Sequence, residues 1–317
     1  MPNTSLYDLA VLYRTDAFTG LIEDVTTLAP EFSSFGAITR EGTWYEIASR
    51  TTLPTAQFRN PNAGVATSKS TYKKQVKEMF FLDVQLQQDE SIWKGDPANV
   101  GTLWQLEAAG AMRSAGILIG QQTYYGTSAG ASGFTGIRNQ LAYTVSMGTG
   151  TSTSAYMVWM NEKEGCRYDV GMGGNFAISA PRLQQVLDGS SNPYMAYVGN
   201  LSSWVGFNVG SQYACWSIKG IAASSTSNWL TDDAVSQLIA KVPVARRTNL
   251  RIFLNRTAHA TLQRSRSTIN LGIPGGSALA AYISSGADGR PAFSPLPEST
   301  NNIPITLTDS ILDTESN

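Results

Sequence analysis

Charged side chains are scarce in this sequence: they make up 15% of its 317 residues, where about a quarter is usual for soluble domains. Hydrophobic residues reach 42%. The chain can therefore build sizeable cores, and its length favours two lobes or one domain with long excursions. A surface with so few charges favours a protein that neighbouring molecules largely cover, although secreted β proteins share this composition.

Histidine and cysteine are almost absent. One histidine, His259, and two distant cysteines, Cys166 and Cys215, cannot make a closed zinc site. The cysteines form no CxxC pair, and we expect two free, reduced thiols rather than a disulfide. We predict that the chain binds no metal and no cofactor.

Long apolar runs are missing as well. The chain has no stretch of about 18 apolar residues. Its first residues, MPNTSLYDLAVLYRTDAF, lack the basic start and apolar core of a signal peptide. We therefore expect a soluble protein that is made in the cytoplasm and has no membrane partner.

One motif suggests catalysis, but its context argues against it. Gly126-Thr127-Ser128-Ala129-Gly130 matches G-x-S-x-G, the nucleophile elbow of serine hydrolases. An elbow needs a strand before the serine and a helix after it, whereas here a predicted helix precedes and a glycine-rich loop follows. His259 is the one available base, and no carboxylate pair or Walker lysine marks another site. We predict that the chain is not an enzyme and that Gly126 ends a helix.

The few charges are strongly segregated. Residues 1–39 contain five acidic residues against Arg14 alone, and residues 40–77 contain seven basic residues against Glu41 and Glu46. Residues 235–287 contain seven basic residues and no acidic one. Such segregation favours contacts between parts of the chain or between copies of it. Five arginines of the last group are candidates for subunit contact, for DNA phosphate contact or for a solvated surface: Arg246, Arg247, Arg251, Arg264 and Arg266.

The first part of the chain predicts an arm and a hairpin. Residues 1–40 are poorly periodic and predict an extended arm with a short helix. Residues 42–92 alternate polar and apolar side chains on both sides of Asn60-Pro61-Asn62-Ala63-Gly64, a strong turn signal, and predict a long two-stranded hairpin. Its stems have too few large apolar residues for a core of their own, and an isolated ribbon is marginally stable in water. The hairpin must therefore lie on a partner that the local sequence does not supply.

A long helix and a β-rich region follow. Asp96 as cap and Pro97 at the first helical position begin a helix that runs to Gly126. Its predicted packing face consists of Val100, Trp104, Ala108, Ala111, Met112, Ala115 and Ile119, with close approach at Gly101, Gly110, Gly116 and Gly120. Residues 137–222 predict strands, with a helical turn in SAPRLQQVLDG. Then come a helix at 230–243 capped by Thr231, a strand at 249–255, a helix at 256–267, a loose segment at 269–300 and a closing strand.

This order of elements resembles the major capsid proteins of tailed double-stranded DNA phages, which have the Hong Kong 97-type fold. Similar stretches are GTLWQLEAAGAMRSAGILIGQQTYYG, followed by a glycine loop and FTGI, then SSWVGFNVGSQYACWSIKGIA and LRIFLNRTAHATLQRSRS. The ending NIPITLTDSILDTES is similar to the family's G-I-P-[IV]-x-x-x-D-x-I closing strand. Together these stretches cover residues 42–312 as an ordered series, and it is the order that carries the resemblance.

The resemblance implies an α+β protein in five segments. They are an N-terminal arm (1–40), an extended β-hairpin loop (41–95), a peripheral domain with a long spine helix (96–126), a mainly axial domain (127–268), and a loop with a closing strand that returns to the peripheral domain (269–317). The extended loop would lie across a neighbouring subunit, which supplies its missing partner. The loop residues expected at this interface are Arg50, Arg59, Lys69, Lys73, Lys74 and Lys77. Those of the arm are Asp16, Glu23, Asp24 and Glu31.

The function implied is structural and needs no active site. Copies would close into pentamers and hexamers of an icosahedral virion shell around packaged double-stranded DNA, assembled in the host cytoplasm. The implied partners are other copies of the chain, a portal, decoration proteins and DNA, which is bound through non-specific contact. Because the chain starts near the arm, a separate scaffolding protein is also implied, unless the chain is the mature form. Some relatives crosslink a loop lysine to an asparagine, but no acceptor is marked here.

Three alternatives stay open. A serine hydrolase, against which the context of Ser128 argues, would be inhibited by a serine-reactive probe at that residue. A cellular nanocompartment shell of the encapsulin type has the same fold. A phage tail or fibre protein with carbohydrate-binding β domains would instead have strands where the long helix is predicted.

Overall fold

The computed structural model describes residues 27–95, 97–127, 133–150, 152–171, 177–271 and 296–315. These residues form two six-stranded sheets, a separate two-stranded ribbon and five α-helices. None of the described helices is long and apolar enough to cross a membrane. The helices are α1 (Glu31–Phe35), α2 (Glu90–Gly95), α3 (Pro97–Tyr125), α4 (Asp232–Ala240) and α5 (Arg256–Leu271).

The strands fall into three groups. The ribbon consists of β2 (Trp44–Thr52) and β3 (Thr71–Glu78). Sheet one consists of β1 (Ala37–Arg40), β4 (Phe80–Asp89), β7 (Cys166–Gly171), β8 (Ala177–Ile178), β9 (Arg182–Leu187) and β10 (Pro193–Val209). Sheet two consists of β5 (Tyr143–Ser146), β6 (Thr153–Trp159), β11 (Cys215–Ile221), β12 (Leu250–Leu254), β13 (Ser299–Thr300) and β14 (Ile303–Leu307).

Sheet one is built around the long strand β10, and helix α3 lies against it. β10 pairs antiparallel with β4, β7, β8 and β9, while β1 adds parallel to β7. Ala111 and Ala115 of α3 pack on Leu201 of β10. At Gly199, a Cβ would come within 2.6 Å of the Trp104 ring, so only glycine allows the helix to approach this closely. The long helix is thereby fixed along the sheet.

Sheet two is buried on both faces. Its strand order is β13-β14-β12-β6-β11-β5, and every residue of β6 is buried. One face packs against α4 and α5, where Leu238 and Leu262 are among the core residues. The opposite face shares a second core with sheet one, which includes Tyr156, Tyr168 and Phe253. A strand in the middle of such a sheet needs apolar residues on both sides, and SAYMVW supplies them.

Several predicted elements are confirmed. Helix α3 begins at Pro97 and ends at Tyr125, directly before Gly126. The hairpin turns at the predicted site, where the Ala63 amide donates to the Asn60 carbonyl at 3.2 Å. Helix α4 is capped by Thr231, whose hydroxyl accepts a hydrogen bond from the Ala234 amide at 3.1 Å. The predicted strand at 249–255, the helix after it and the closing strand are also present as β12, α5 and β14.

Other predictions about elements were wrong. The hairpin ends at Glu78, and residues 80–89 form β4 of sheet one rather than ribbon. The stretch SAPRLQQVLDG contains strand β9 instead of a helical turn, because it pairs with the start of β10. On α3, Met112 is 51% exposed whereas Leu103 is buried, and among its predicted close-packing glycines Gly101, Gly110 and Gly116 face open space.

The predicted segments do not coincide with the two sheets. Residues 127–268 contribute β7 to β10 to sheet one and β5, β6, β11 and β12 to sheet two. The closing strand β14 runs parallel to β12 in sheet two. The residues after β14 then reach α3, where the Leu312 amide donates to the Tyr125 hydroxyl at 2.9 Å.

Candidate subunit interface

A buried carboxylate clamps the base of the ribbon. Asp169 on β7 is 1% exposed and accepts hydrogen bonds from Arg40 Nε at 3.3 Å and Arg167 Nε at 3.1 Å. The Tyr45 hydroxyl on β2 also donates to Asp169, and the Arg40 guanidinium lies over the Tyr45 ring at 4.7 Å. Burial and the neighbouring carboxylate raise the pKa of Tyr45, so the phenol stays a donor. The two arginines compensate the buried charge of Asp169. Because Tyr45 belongs to β2, its hydrogen bond to Asp169 fixes the base of the ribbon to sheet one, and we call this group of four residues the Asp169 clamp.

One face of the ribbon exposes large apolar side chains. Directly paired residues point to the same side of a ribbon, as do alternate residues along each strand. The register therefore places Trp44, Tyr72 and Val76 on one face, where they are 59%, 62% and 56% exposed. The Arg50 guanidinium stacks over the Tyr72 ring at 5.5 Å. These exposed apolar side chains make this face of the ribbon our candidate surface for contact with another protein.

The tip of the ribbon is fully exposed but locally ordered. The Thr55 amide donates to Ser68 Oγ at 2.9 Å, which holds the two segments together beyond β2 and β3. All residues from 51 to 69 are exposed, and Phe58 at the tip exposes its whole side chain. The described residues thus supply no core for this part of the ribbon.

Two of the predicted interface lysines are engaged within the protomer. Lys74 forms an ion pair with Glu46 across the ribbon. Lys77 is half-buried at the ribbon base, and its ammonium donates to Gln140 Oε1 at 3.2 Å. Burial lowers the pKa of Lys77. Its side chain therefore points into the fold, and we leave Lys77 out of the proposed interface.

The other basic residues of the ribbon are available to a partner. Lys69 and Lys73 are exposed and form no ion pair with any residue that the structure describes. Arg59 donates to the Ala63 carbonyl at 2.9 Å, which stiffens the turn and leaves the cation in solvent. Together with Arg50 they give the ribbon a positive charge that no acidic residue of the described ranges neutralises by an ion pair.

The arm is described only from residue 27 onward, so Asp16, Glu23 and Asp24 lie outside the described residues. Glu31 is fully buried and does not reach the surface. It accepts a hydrogen bond from the Thr308 hydroxyl, and burial raises the pKa of its carboxyl. Glu31 thus ties α1 to the segment after β14, and it is left out of the proposed interface.

Three of the five candidate arginines form hydrogen bonds inside the protomer, and the weakest case is Arg247, whose Nε donates to the Val242 carbonyl at 3.3 Å. Arg246 donates to the Tyr213 carbonyl at 3.0 Å and stacks over the Trp159 ring at 4.8 Å. Arg266 binds both oxygens of Asp232, at 2.7 and 2.8 Å. This pairing lowers the pKa of the Asp232 carboxyl.

Arg247, Arg251 and Arg264 differ in their surroundings. Arg247 and Arg251 line one surface groove together with Asn249 and Asn302. Arg264 is exposed on α5. The structure therefore brings Arg247 and Arg251 together, and Arg264 is not among the residues that line their groove.

The hydrolase motif has no catalytic setting in the described residues. Ser128 lies outside them, but the element before it is the helix α3, where an elbow needs a strand. His259 is buried on α5, and its Nε2 lies 2.8 Å from the Pro297 carbonyl oxygen. Across the described parts of the chain, no cluster of three or more His, Cys, Asp or Glu side chains is suited to a metal ion.

Sequence reasoning missed the clamp at the ribbon base. Its one signal is Arg167 and Asp169, two charged residues at alternate positions of a strand whose six residues are all buried. Charges on one face of a buried strand require partners. The partners, Arg40 and Tyr45, come from more than 120 residues earlier in the chain, and local patterns do not reveal such pairings.

Comparison with known proteins gives one family. The model of the family described as Major capsid protein GP7 matches residues 39–317. A solved structure of bacteriophage Epsilon15 is similar at 18% identity and a TM-score of 0.64, over 100% of this chain and 97% of that one. A structure from Mycobacterium phage Adephagia is less similar, with 10% identity and a TM-score of 0.47 over 69% of this chain and 98% of that one. The capsid of an empty GTA particle has 10% identity and a TM-score of 0.43 over 69% of this chain and 99% of that one. No curated protein matches the sequence.

Proposed function

The chain belongs to the major capsid protein GP7 family, and on this premise we propose that its copies assemble into pentamers and hexamers of a closed icosahedral shell around double-stranded DNA. It has the Hong Kong 97-type capsid fold, and as a phage capsid protein it is a component of the virion. Assembly in the host cytoplasm is part of the proposal, as are a portal, a separate scaffolding protein and decoration proteins as partners.

The observation that carries the proposal is the ribbon, which the described residues leave uncovered. It leaves the fold at the Asp169 clamp and exposes Trp44, Tyr72, Val76 and Phe58 to solvent. A two-stranded ribbon without a covered face is marginal in water, so a neighbouring subunit is the partner that would stabilise it. The positive charge of Lys69 and Lys73 suits an acidic surface on that neighbour, and the acidic arm residues Asp16, Glu23 and Asp24 are our candidates.

DNA contact is a separate part of the proposal. Arg247 and Arg251 line a groove with asparagine side chains, and two cations beside amide groups suit phosphate oxygens without reading a base sequence. We include Arg264 as an exposed cation of the same segment. Arg246 and Arg266 are left out because each guanidinium group binds a carboxylate and a backbone carbonyl within the protomer, whereas the hydrogen bond of Arg247 to Val242 uses its Nε alone.

The helix α3 distinguishes the proposed function from a fibre protein but not from a nanocompartment shell. A fibre protein would have strands at residues 97–125, where the structure has the helix α3. A nanocompartment shell has the same fold, and a cargo peptide bound inside the shell would distinguish it. The family match favours a phage capsid protein.

The proposal is tested by expressing the chain alone and examining it by electron microscopy. Closed shells, or rings of five and six subunits, are the expected result. A protein that stays monomeric at high concentration would contradict assembly. Nuclease-protected DNA inside the shells would support the DNA part of the proposal, and a bound peptide in its place would favour a nanocompartment.

A further inference from the structure

Two buried thiols meet where the chain crosses between the sheets. Cys166 is the first residue of β7 in sheet one, and Cys215 is the first residue of β11 in sheet two. Both belong to the core that the two sheets share, and they are 1% and 0% exposed. Their sulfur atoms lie 3.0 Å apart, about 1 Å more than the length of a disulfide bond.

We propose that Cys166 and Cys215 are a redox modification site, which a small-molecule disulfide oxidant converts into a covalent link between sheet one and sheet two. The strands that carry them belong to different sheets, so no backbone hydrogen-bond ladder between β7 and β11 would duplicate this link. The site is independent of the assembly proposed above.

The reaction is thiol–disulfide exchange in two steps. The thiolate of one cysteine attacks the oxidant, such as oxidised glutathione, and releases one glutathione thiolate as a mixed disulfide forms. The second cysteine thiolate then attacks the protein sulfur of that mixed disulfide, and the second glutathione thiolate leaves. The protein loses two protons and two electrons, and the oxidant becomes two thiols.

The folded core controls when this reaction starts. Burial raises the pKa of the Cys166 thiol, as does its neighbour Cys215, while the Lys77 ammonium acts in the opposite sense. The thiolate is the reactive form, and glutathione does not fit into a closed core. The exchange therefore proceeds while the chain folds or when β7 and β11 open, and a reducing compartment keeps the pair as thiols.

The test is to refold the full chain from denaturant in a glutathione buffer, oxidising in one sample and reducing in the other. We expect the oxidised sample to lose both free thiols and to yield, on digestion, one peptide that links the segments of Cys166 and Cys215. Its midpoint of thermal unfolding should exceed that of the reduced sample by roughly 5 °C, because the link closes a long loop in the unfolded chain.

Two variants serve as matched controls. Cys166→Ala and Cys215→Ala each keep one thiol, and neither should show a difference in thermal unfolding between the two buffers. If a variant fails to fold, the peptide map of the wild-type chain decides alone. Two free thiols after oxidative refolding, or stable glutathione adducts on both cysteines in place of a linked peptide, would each overturn the proposal.

Discussion

Glu31 is a carboxyl group buried between α1, α3 and the segment after β14. Beside it, a Cβ at Gly120 would come within 2.8 Å of Glu31 Oε2 and 2.3 Å of Ser310 Oγ, so this glycine leaves room for the contact. Burial raises the pKa of Glu31 above its ordinary value of 4.5. The folded chain therefore holds this proton more tightly than the unfolded chain does, and the charged form is the costly one.

The contribution of Glu31 to the stability of the fold decreases as the pH rises. Glu31 favours the folded state most at pH values below 4.5, and this contribution is lost as the pH rises through the raised folded-state pKa. Glu31→Gln keeps an acceptor for the Thr308 hydroxyl and removes the charge. We expect the variant to unfold at a higher temperature than the wild type at pH 8 and at a similar temperature at pH 4, measured by thermal unfolding. A variant that is less stable at pH 8 would show that the charge is favourable.

Among the elements, the ribbon and the long helix were predicted best because their signals are local. A turn sequence between alternating stems predicted the hairpin, and a cap, a proline and a final glycine predicted α3. The end of the hairpin was missed, since β3 and β4 are separated by Met79 alone and alternate in the same way. Only their partners distinguish the two strands, β2 for β3 and β10 for β4.

The ribbon lysines offer a test at this scale. Lys73 and Lys74 point to opposite faces, because Lys73 pairs with Ser49 and Lys74 with Ala48. Reversing both to Glu should weaken each subunit contact roughly tenfold, which corresponds to about 1.4 kcal/mol, and so lower the assembled fraction while the fold of the protomer stays intact. Sedimentation measures assembly, and circular dichroism measures folding.

The matched control for this experiment is Lys73→Arg, which keeps the charge and should assemble as the wild type does. Lys73→Glu alone should account for most of the loss, because Lys74 is already paired with Glu46. Unchanged assembly of the double variant would refute the proposed role of these charges.

At the scale of the whole molecule, the hydrophobic cores among the described residues contain no residue of the ribbon. The two sheets share one core, and α4 with α5 covers the other face of sheet two. Sequence periodicity found most of the strands but could not divide them between sheets. Pairings such as β4 with β10 join residues more than 100 positions apart, and the helical turn predicted at 179–189 failed because tertiary pairing overrides local propensity.

Removing the ribbon should therefore separate folding from assembly. We expect a chain in which residues 47–75 are replaced by a short glycine-containing turn to keep its Asp169 clamp and a thermal unfolding midpoint within about 2 °C of the wild type. The same chain should form no shells in electron micrographs. A ribbonless chain that still closes into shells would show that the ribbon is not needed for assembly, and a large loss of stability would show that it supports the protomer's own fold.

The exposure of residues 51–69 also governs how the free protomer meets proteases. Extended, solvent-exposed backbone enters a protease cleft readily, and Arg59 and Lys69 in this stretch are sites for trypsin-like enzymes. A protomer without neighbours is thus open to cleavage at the ribbon while its two sheets resist. A neighbouring subunit that covers the ribbon would shield the peptide bonds after Arg59 and Lys69 from the protease. The chain would therefore become resistant to digestion when it assembles.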